Sequence, residues 1–254
     1  MKKHSIWVGF FAFMTLGTFV QAQEKELHHY LSLEDVASSL ELLPPPPAVN
    51  SILFLNDEAQ YRWGKMQRPT PRGDQAVSDA RLYGDGVAKS FSEAFGMTIS
   101  KEGTPEIYKL ISHFREDAGD YATRSAKEYY MRMRPFTFYN EDTCNTEQQQ
   151  GLSTNGSYPS GHTAIGWATA LVLAEINVER QNEILKRGYE IGQSRVICGY
   201  HFQSDVDAAR LVASAVVARL HANDAFMKQL EKAKKEFESL VKKGKVKKSE
   251  RMTK

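Results

Sequence analysis

A histidine and a carboxylate four residues apart are the residues of this chain best suited to chemistry. His201 is followed by Asp205, and Arg195 lies six residues before His201. An imidazole is a competent nucleophile near neutral pH when one ring nitrogen is bare and the other donates its proton to a fixed acceptor. Asp205 could be that acceptor on a shared helical face, or in the first turn of a helix capped by Ser204. The spacing alone is also typical of a surface pair or a buried structural histidine.

A second segment combines an expected anion site with another histidine. Residues 158–163 have the sequence Tyr-Pro-Ser-Gly-His-Thr, and the apolar run 164–176 follows them. Where a turn opens into a helix, free backbone N–H groups and the positive end of the helix dipole face outward. The pattern predicts that Ser160 and Gly161 donate to an anion and that His162 lies beside it.

A third segment supplies cations. Lys127 and Arg134 are seven residues apart, which predicts one face of a helix that Pro135 ends, with Arg132 pointing elsewhere. Together with Arg195 they make three cations, and phosphoryl transfer spreads charge over three equatorial oxygens. These residue types therefore favour chemistry at phosphorus.

The three segments, Lys-x6-Arg-Pro, Pro-Ser-Gly-His and Ser-Arg-x5-His-x3-Asp, resemble the signature of the type 2 phosphatidic acid phosphatase superfamily, which includes the vanadium haloperoxidases. Every signature position is present. Residues 43–47, 56–57, 116–120 and 156–158 resemble the class A bacterial non-specific acid phosphatases, and the likeness extends from Leu33 to Lys234. The resemblance implies an all-α, single-domain helical bundle of the acid phosphatase and vanadium haloperoxidase type.

The resemblance also implies a role for each residue of the signature. His201 would attack phosphorus to give a phosphohistidine, Asp205 would orient it, and His162 would protonate the leaving oxygen and then activate water. The expected substrates are a broad range of small-molecule phosphomonoesters, with phosphotransferase activity beside hydrolysis. The residues expected to bind phosphate are Lys127, Arg134, Ser160, Gly161 and Arg195.

No cofactor or metal is expected, because side chains supply the positive charge. Two alternatives remain open. The same pocket would bind vanadate, as in a vanadium-dependent haloperoxidase, or the chain could be a non-catalytic phosphate-binding protein.

The chain begins with a segment typical of export. Lys2 and Lys3 precede an apolar run over 6–20, and a small residue, Ala22, follows as a cleavage site. The run is shorter than the roughly 20 apolar residues that span a bilayer, which favours a signal peptide over an uncleaved anchor. We therefore expect a signal peptide over 1–22, an acid phosphatase domain over 23–241, a basic tail over 242–254 and a periplasmic location.

The net charge of the chain and the family resemblance indicate which partners to expect. Removing Lys2 and Lys3 with the leader takes the formal charge from +2 to zero, so no global charge attracts nucleic acid or a membrane surface. We expect neither as a partner. The family resemblance implies a homo-oligomer.

Two cysteines and an acidic cluster each allow structural interpretations. In an exported chain, Cys144 and Cys198 favour a disulfide over free thiols or a metal pair. Carboxylates at Glu116, Asp117 and Asp120 could form a metal site, but we favour a solvated face or partners for nearby cations.

Hydrophobic periodicity predicts helices along most of the chain and no strands of any length. We expect a short helix over 33–43, one from Ser51, one from Asp74, and one over 87–95 ending at Gly96. A helix capped by Thr104 is expected to continue, with a break near Gly119, into the segment that carries Lys127. Residues 136–156 are predicted to be irregular. Later helices are expected over 164–176, 182–197 and 205–222, with an amphipathic helix from 227.

Overall fold

The structure is a computed structural model that describes residues 29–249. Within that range it contains helices and turns but no strand. The all-α prediction is therefore confirmed. The expected signal peptide lies outside the described residues, as does the end of the basic tail.

Twelve α-helices are found in the described part of the chain. A π-helix, Asp117–Tyr121, precedes α6, and 3-10 turns occupy Thr146–Gln148 and Val178–Arg180. The α-helices are α1 Ser39–Leu42, α2 Ile52–Gln67, α3 Pro71–Asp79, α4 Gly86–Phe95, α5 Pro105–His113, α6 Ala122–Tyr130, α7 Pro135–Phe138, α8 Gln149–Ser153, α9 Gly161–Ile176, α10 Gln181–Ile197, α11 Gln203–Leu220 and α12 Asp224–Lys242.

Helix α9 is the centre of the bundle. It packs against both α10 and α11, and most of its side chains are buried. A Cβ atom at Gly188 of α10 would lie 2.4 Å from the Cβ atom of Ala170, so glycine at this position lets the two backbones approach closely. None of the helices in residues 29–249 is long and apolar enough to cross a membrane.

The helix predicted over 33–43 is shorter than expected. Only Ser39–Leu42 is helical, because residues 32–35 form a turn in which Asp35 accepts hydrogen bonds from the backbone and the hydroxyl of Ser32. The prolines after Leu43 then prevent extension.

The segment from Lys127 to Arg134 is not one helix, which corrects the shared-face prediction. Helix α6 ends at Tyr130, and Met131 adopts the left-handed region with φ 39°. Pro135 does not end a helix but begins α7, where its missing N–H is not needed. The prediction of an irregular segment over 136–156 was wrong in part. Most of α7 and all of α8 lie within this segment.

Candidate active site

Four helix ends meet at one end of the bundle. The end of α10 and the start of α11 are joined by residues 198–202, and the Ser160 amide before α9 donates to the carbonyl oxygen of Asp205 in the first turn of α11, so these three ends lie together. The chain after α6 completes this end of the bundle. This arrangement brings together signature segments that are far apart in sequence.

His201 lies just before α11, and Asp205 lies in its first turn. The cap residue is Phe202, so neither a shared helical face nor a Ser204 cap describes the local geometry. Asp205 Oδ2 is 3.5 Å from His201 Nδ1, close enough for an ion pair. Ser157 Oγ is nearer to the ring, at 3.2 Å from Nδ1.

Asp205 is completely buried and surrounded by donors. Arg132 Nη1 donates to Oδ1 at 2.6 Å, while the Ser157 hydroxyl donates to Oδ2 at 2.6 Å and the Phe202 amide at 2.8 Å. Burial raises the pKa of Asp205, but Arg132 and the hydrogen bonds outweigh that effect and hold it well below its usual range. The carboxylate is therefore ionised at any physiological pH.

Arg132 belongs to this arrangement, contrary to the prediction that it points elsewhere. Its other terminal nitrogen, Nη2, donates to Asp57 Oδ2 at 2.8 Å, and Asp57 in turn accepts from the amide and hydroxyl of Ser204. The left-handed turn at Met131 gives Arg132 this direction. Arg132 thus joins α2 to the start of α11 behind Asp205.

Lys127 and Arg134 converge on one carbonyl although they lie on different elements. Lys127 Nζ and Arg134 Nη2 each lie 3.2 Å from the carbonyl oxygen of Gly156. Burial, followed by the charge of Arg134, lowers the pKa of Lys127 to about 7. Burial likewise lowers the pKa of Arg134 to about 10, and Asp205 opposes that shift.

Arg134 also contacts the candidate nucleophile. Its Nη1 atom is 2.9 Å from His201 Nε2 and 3.2 Å from the carbonyl oxygen of Tyr200. Burial, then the charge of Arg134, holds the pKa of His201 well below its ordinary value, with Asp205 acting in the opposite direction. Burial and Arg134 therefore favour the neutral form of His201.

Arg195 is a buried cation whose donors are unused. Only 1% of its surface is exposed, and none of its three guanidinium nitrogens has a hydrogen-bond partner among residues 29–249. Its guanidinium carbon lies 4.0 Å from the centre of the Tyr200 ring. Burial lowers the pKa of Arg195 to about 10, so it remains charged. Buried charged donors without acceptors are costly, which makes this side chain a strong candidate for contact with an anion.

Ser160 caps α9. Its hydroxyl oxygen accepts from the amide of Thr163 at 3.3 Å and from the Thr163 hydroxyl at 2.8 Å, so the Ser160 proton is left to donate elsewhere. The Ser160 amide already donates to the carbonyl oxygen of Asp205. The prediction of a Ser160 N–H donor is therefore corrected, whereas the hydroxyl of Ser160 and the first turn from Gly161 remain candidates.

His162 lies in the first turn of α9. Its Nε2 atom is 3.2 Å from the carbonyl oxygen of Ala80, which can only accept, so Nε2 carries a proton. This leaves Nδ1 to exchange protons with another group. Burial, then the charges of Arg195 and His201, holds the pKa of His162 well below its ordinary value. The ring of Tyr83 packs edge-on against it, with centroids 5.9 Å apart.

The two cysteines form a disulfide, as expected. Cys144 and Cys198 are joined, and the amide of Cys144 donates to the carbonyl oxygen of Cys198 at 3.2 Å. The bond ties the segment after α7 to the end of α10. Cys198 lies three residues before His201 in the sequence.

The carboxylates of the π-helix segment have separate partners. Glu116 pairs with Arg115 and Asp120 pairs with Arg124, while Asp117 is buried and accepts from the backbone amides of residues 30 and 31. Within residues 29–249, no group of three or more His, Cys, Asp or Glu side chains could hold a metal ion.

Known proteins are similar to this chain over most of its length. The sequence model of the PAP2 superfamily matches residues 118–227. A non-specific acid phosphatase of Providencia stuartii is 65% identical over 214 residues, covering 84% of this chain and 86% of the relative. The chain is a class A bacterial acid phosphatase of the PAP2 superfamily. A non-specific acid phosphatase of Salmonella typhimurium is 42% identical over 92% of both chains, and an acid phosphatase of Zymomonas mobilis is 37% identical over 77% of this chain and 74% of the relative.

All candidate residues of the acid phosphatase signature lie within the matched region. Direct contacts join Arg134 to His201 and His201 to Asp205, and Lys127 shares the Gly156 carbonyl oxygen with Arg134. Arg195 lies close enough to His162 for its charge to lower the pKa of that ring. Sequence reasoning missed Ser157 and Arg132 as contacts of Asp205. Both residues stand inside segments quoted for the family resemblance, but neither occupies a signature position.

Proposed function

We propose that this enzyme is exported to the periplasm and hydrolyses a broad range of phosphomonoesters through a phosphohistidine at His201. We further propose that it can transfer the phosphoryl group to an alcohol as well as to water. The observation that carries the proposal is the environment of His201 Nε2, which faces a buried cation, Arg134, while the other side of the ring faces Asp205. A neutral imidazole held in this way is suited to attack phosphorus.

The cations account for binding of the phosphoryl group. The unused donors of Arg195 and the charges of Lys127 and Arg134 would stabilise the three equatorial oxygens as charge spreads over them. The Ser160 hydroxyl would add a neutral donor. An incoming phosphate oxygen would take over the Arg134 N–H that now faces Nε2, and the nitrogen lone pair would then be free to attack.

His162 suits the proton transfers of both steps. In the first step the N–P bond forms between His201 and phosphorus, the P–O bond to the leaving group breaks, and Nδ1 of His162 gives its proton to the departing oxygen. In the second step water attacks phosphorus, the N–P bond breaks, and His162 takes a proton from that water. The negative charge of a bound phosphomonoester raises the pKa of His162 and allows it to carry the first proton.

Trapping of the phosphoenzyme tests the proposal. The wild-type enzyme should hydrolyse p-nitrophenyl phosphate in excess chelator, because side chains supply the charge. Rapid quenching into alkali, followed by peptide mapping, should find phosphate on His201. His201→Ala should abolish both turnover and labelling, whereas His221→Ala should retain both, since His221 instead contacts Glu175. Loss of activity in chelator, or labelling of His201→Ala, would contradict the proposal.

A further inference from the structure

Ser157 stands between the ring of His201 and the carboxylate of Asp205. Its side chain is completely buried, with Oγ 3.2 Å from His201 Nδ1 and 2.6 Å from Asp205 Oδ2. The direct distance from Nδ1 to Oδ2 is longer, at 3.5 Å. We propose that Ser157 is a positioning residue whose hydroxyl relays the hydrogen bond from His201 to Asp205 and fixes the tautomer of the imidazole. This inference rests on the proposed role of His201 as nucleophile.

The Asp205 end fixes the direction of the relay. Because Arg132 and the Phe202 amide both donate to this buried carboxylate, it is ionised and can only accept. The Ser157 hydroxyl proton must therefore point to Asp205. That leaves the lone pairs of Oγ to face His201, and Nδ1 must carry the proton that it donates.

The opposite side of the ring requires the same tautomer. Arg134 Nη1 lies 2.9 Å from Nε2, and a guanidinium nitrogen can only donate. Nε2 is therefore bare. Two independent contacts, on opposite sides of the imidazole, agree on a proton at Nδ1 and a lone pair at Nε2.

This tautomer is the reactive one. When Nε2 forms its bond to phosphorus and the P–O bond to the leaving group breaks, the ring becomes a positively charged phosphoimidazolium that keeps its Nδ1 proton. The Nδ1–H bond to Ser157 strengthens as this charge develops, and Asp205 stabilises it through the hydroxyl. The amide of Ser157 donates to the carbonyl oxygen of Arg132 at 2.9 Å, which fixes the relay in place.

Replacing Ser157 by Ala would leave Nδ1 without its nearest acceptor, so that only the Arg134 contact at Nε2 would still favour the reactive tautomer over the one in which Nε2 is protonated and cannot attack. We expect kcat to fall about 10- to 100-fold, the usual effect of losing a hydrogen bond to a charged group, with little change in KM. Nitrogen NMR of His201 should show a protonated Nδ1 and a bare Nε2 in the wild type and a mixture in Ser157→Ala. Ser157→Thr, which keeps a hydroxyl, should restore the wild-type tautomer.

Ser92→Ala is the matched control. Its hydroxyl donates to the Ala88 carbonyl and accepts from the Ile99 amide, away from His201, so its loss should change stability and leave the tautomer and kcat unchanged. If Ser157→Ala does not fold, Ser157→Cys keeps the bulk with a weaker hydrogen-bonding group and should behave as expected for Ala. A wild-type tautomer and kcat in a folded Ala or Cys variant would overturn the proposal.

The NMR measurement does not depend on turnover. It therefore separates the two proposals. Absence of phosphate on His201 in the wild type would refute the phosphohistidine mechanism. A wild-type enzyme that labels His201, with a Ser157→Ala variant that labels equally fast in the same tautomer, would refute the relay alone.

Discussion

Lys127 and Arg134 share one acceptor, the carbonyl oxygen of Gly156, at 3.2 Å from each cation. Two positive charges held this close in a buried site repel each other, and the lysine is the residue that can give up its proton. Burial, followed by this repulsion from Arg134, lowers the pKa of Lys127 to about 7, while Arg134 remains charged. An anion bound beside the pair would stabilise its charged form.

The first prediction concerns the alkaline side of the pH profile. As pH rises through about 7, free enzyme loses the proton of Lys127 and with it one phosphate-binding charge, so kcat/KM should fall. Lys127→Arg should lower the maximal rate, because the guanidinium shape differs, but should move the alkaline limb upward. The prediction is checked by measuring kcat/KM for p-nitrophenyl phosphate from pH 4 to 9 and comparing the pH profiles of the two enzymes.

Lys234→Arg is the control for this profile. Lys234 pairs with Glu175 away from the site, so its replacement should leave the alkaline limb in place. An unchanged limb in a folded, active Lys127→Arg enzyme would show that another group sets it.

The second prediction contrasts two buried arginines. Arg195 has no hydrogen-bond partner among the described residues, whereas Arg132 forms ion pairs with both Asp57 and Asp205. In phosphate-free buffer, Arg195→Met should raise the free energy of unfolding by about 1 kcal/mol, because it removes a buried charge that has no hydrogen-bond partner and is only partly stabilised by the Tyr200 ring. Arg132→Met should lower it by about 3–5 kcal/mol, because it leaves carboxylates unpaired. Urea unfolding at pH 6 measures both, and equal destabilisation by the two changes would contradict this account.

The third prediction concerns inorganic phosphate as a ligand. At 100 times its dissociation constant, phosphate should stabilise the wild type by about 2.7 kcal/mol through binding to the folded state alone. At the same phosphate concentration the Arg195→Met enzyme should be stabilised much less, because it lacks the free donors of Arg195. Thermal unfolding with and without phosphate provides the comparison, and sodium chloride at equal ionic strength controls for screening. Equal gains in both proteins would exclude Arg195 as a phosphate ligand.

The all-α class and the candidate residues could be predicted from the sequence, because the signature consists of particular residue types at fixed short spacings. The helices were also largely predictable where local signals agree. The N-cap at Ser51, whose hydroxyl accepts from the amide of Phe54, and the left-handed Gly96 after α4 are examples. In both, short-range hydrogen bonding or backbone freedom decides the outcome.

Contacts set by the tertiary fold could not be predicted in this way. A helical-face argument joined Lys127 to Arg134 and turned Arg132 away. The left-handed turn at Met131 puts Lys127 and Arg134 on different elements, although they still meet at the Gly156 carbonyl oxygen, and Arg132 contacts Asp205. That turn leads into a segment fixed by a hydrogen bond from the Ser157 amide to the Arg132 carbonyl, 25 residues apart in the chain. Ser157 itself lies 44 residues from His201, and no local spacing indicates their contact.

The fourth prediction concerns the disulfide. Cys144 and Cys198 are 54 residues apart, and in the chain-entropy model closing such a loop stabilises the fold by about 4 kcal/mol. Replacing both cysteines by Ser should lower the free energy of unfolding by about that amount. Dithiothreitol should destabilise the wild type to a similar extent and leave the double variant unaffected. Two titratable thiols in denatured, unreduced, exported protein would contradict the assignment.

The last prediction separates the two histidines by leaving group. His162 matters in the first step only as far as the departing oxygen needs a proton, whereas His201 forms the bond to phosphorus whatever departs. His162→Ala should slow the hydrolysis of alkyl phosphates by about 10²- to 10⁴-fold, the usual contribution of a general acid. With p-nitrophenyl phosphate, whose leaving group departs without help, phosphorylation should be less impaired. The second step still lacks its base, so phosphoenzyme should accumulate, and rapid quenching should record a burst followed by slow turnover.

His221→Ala should match the wild type with both substrates. A His162→Ala enzyme that hydrolyses alkyl phosphates at the wild-type rate would exclude His162 as the acid, and one that shows no burst with p-nitrophenyl phosphate would exclude it as the base of the second step.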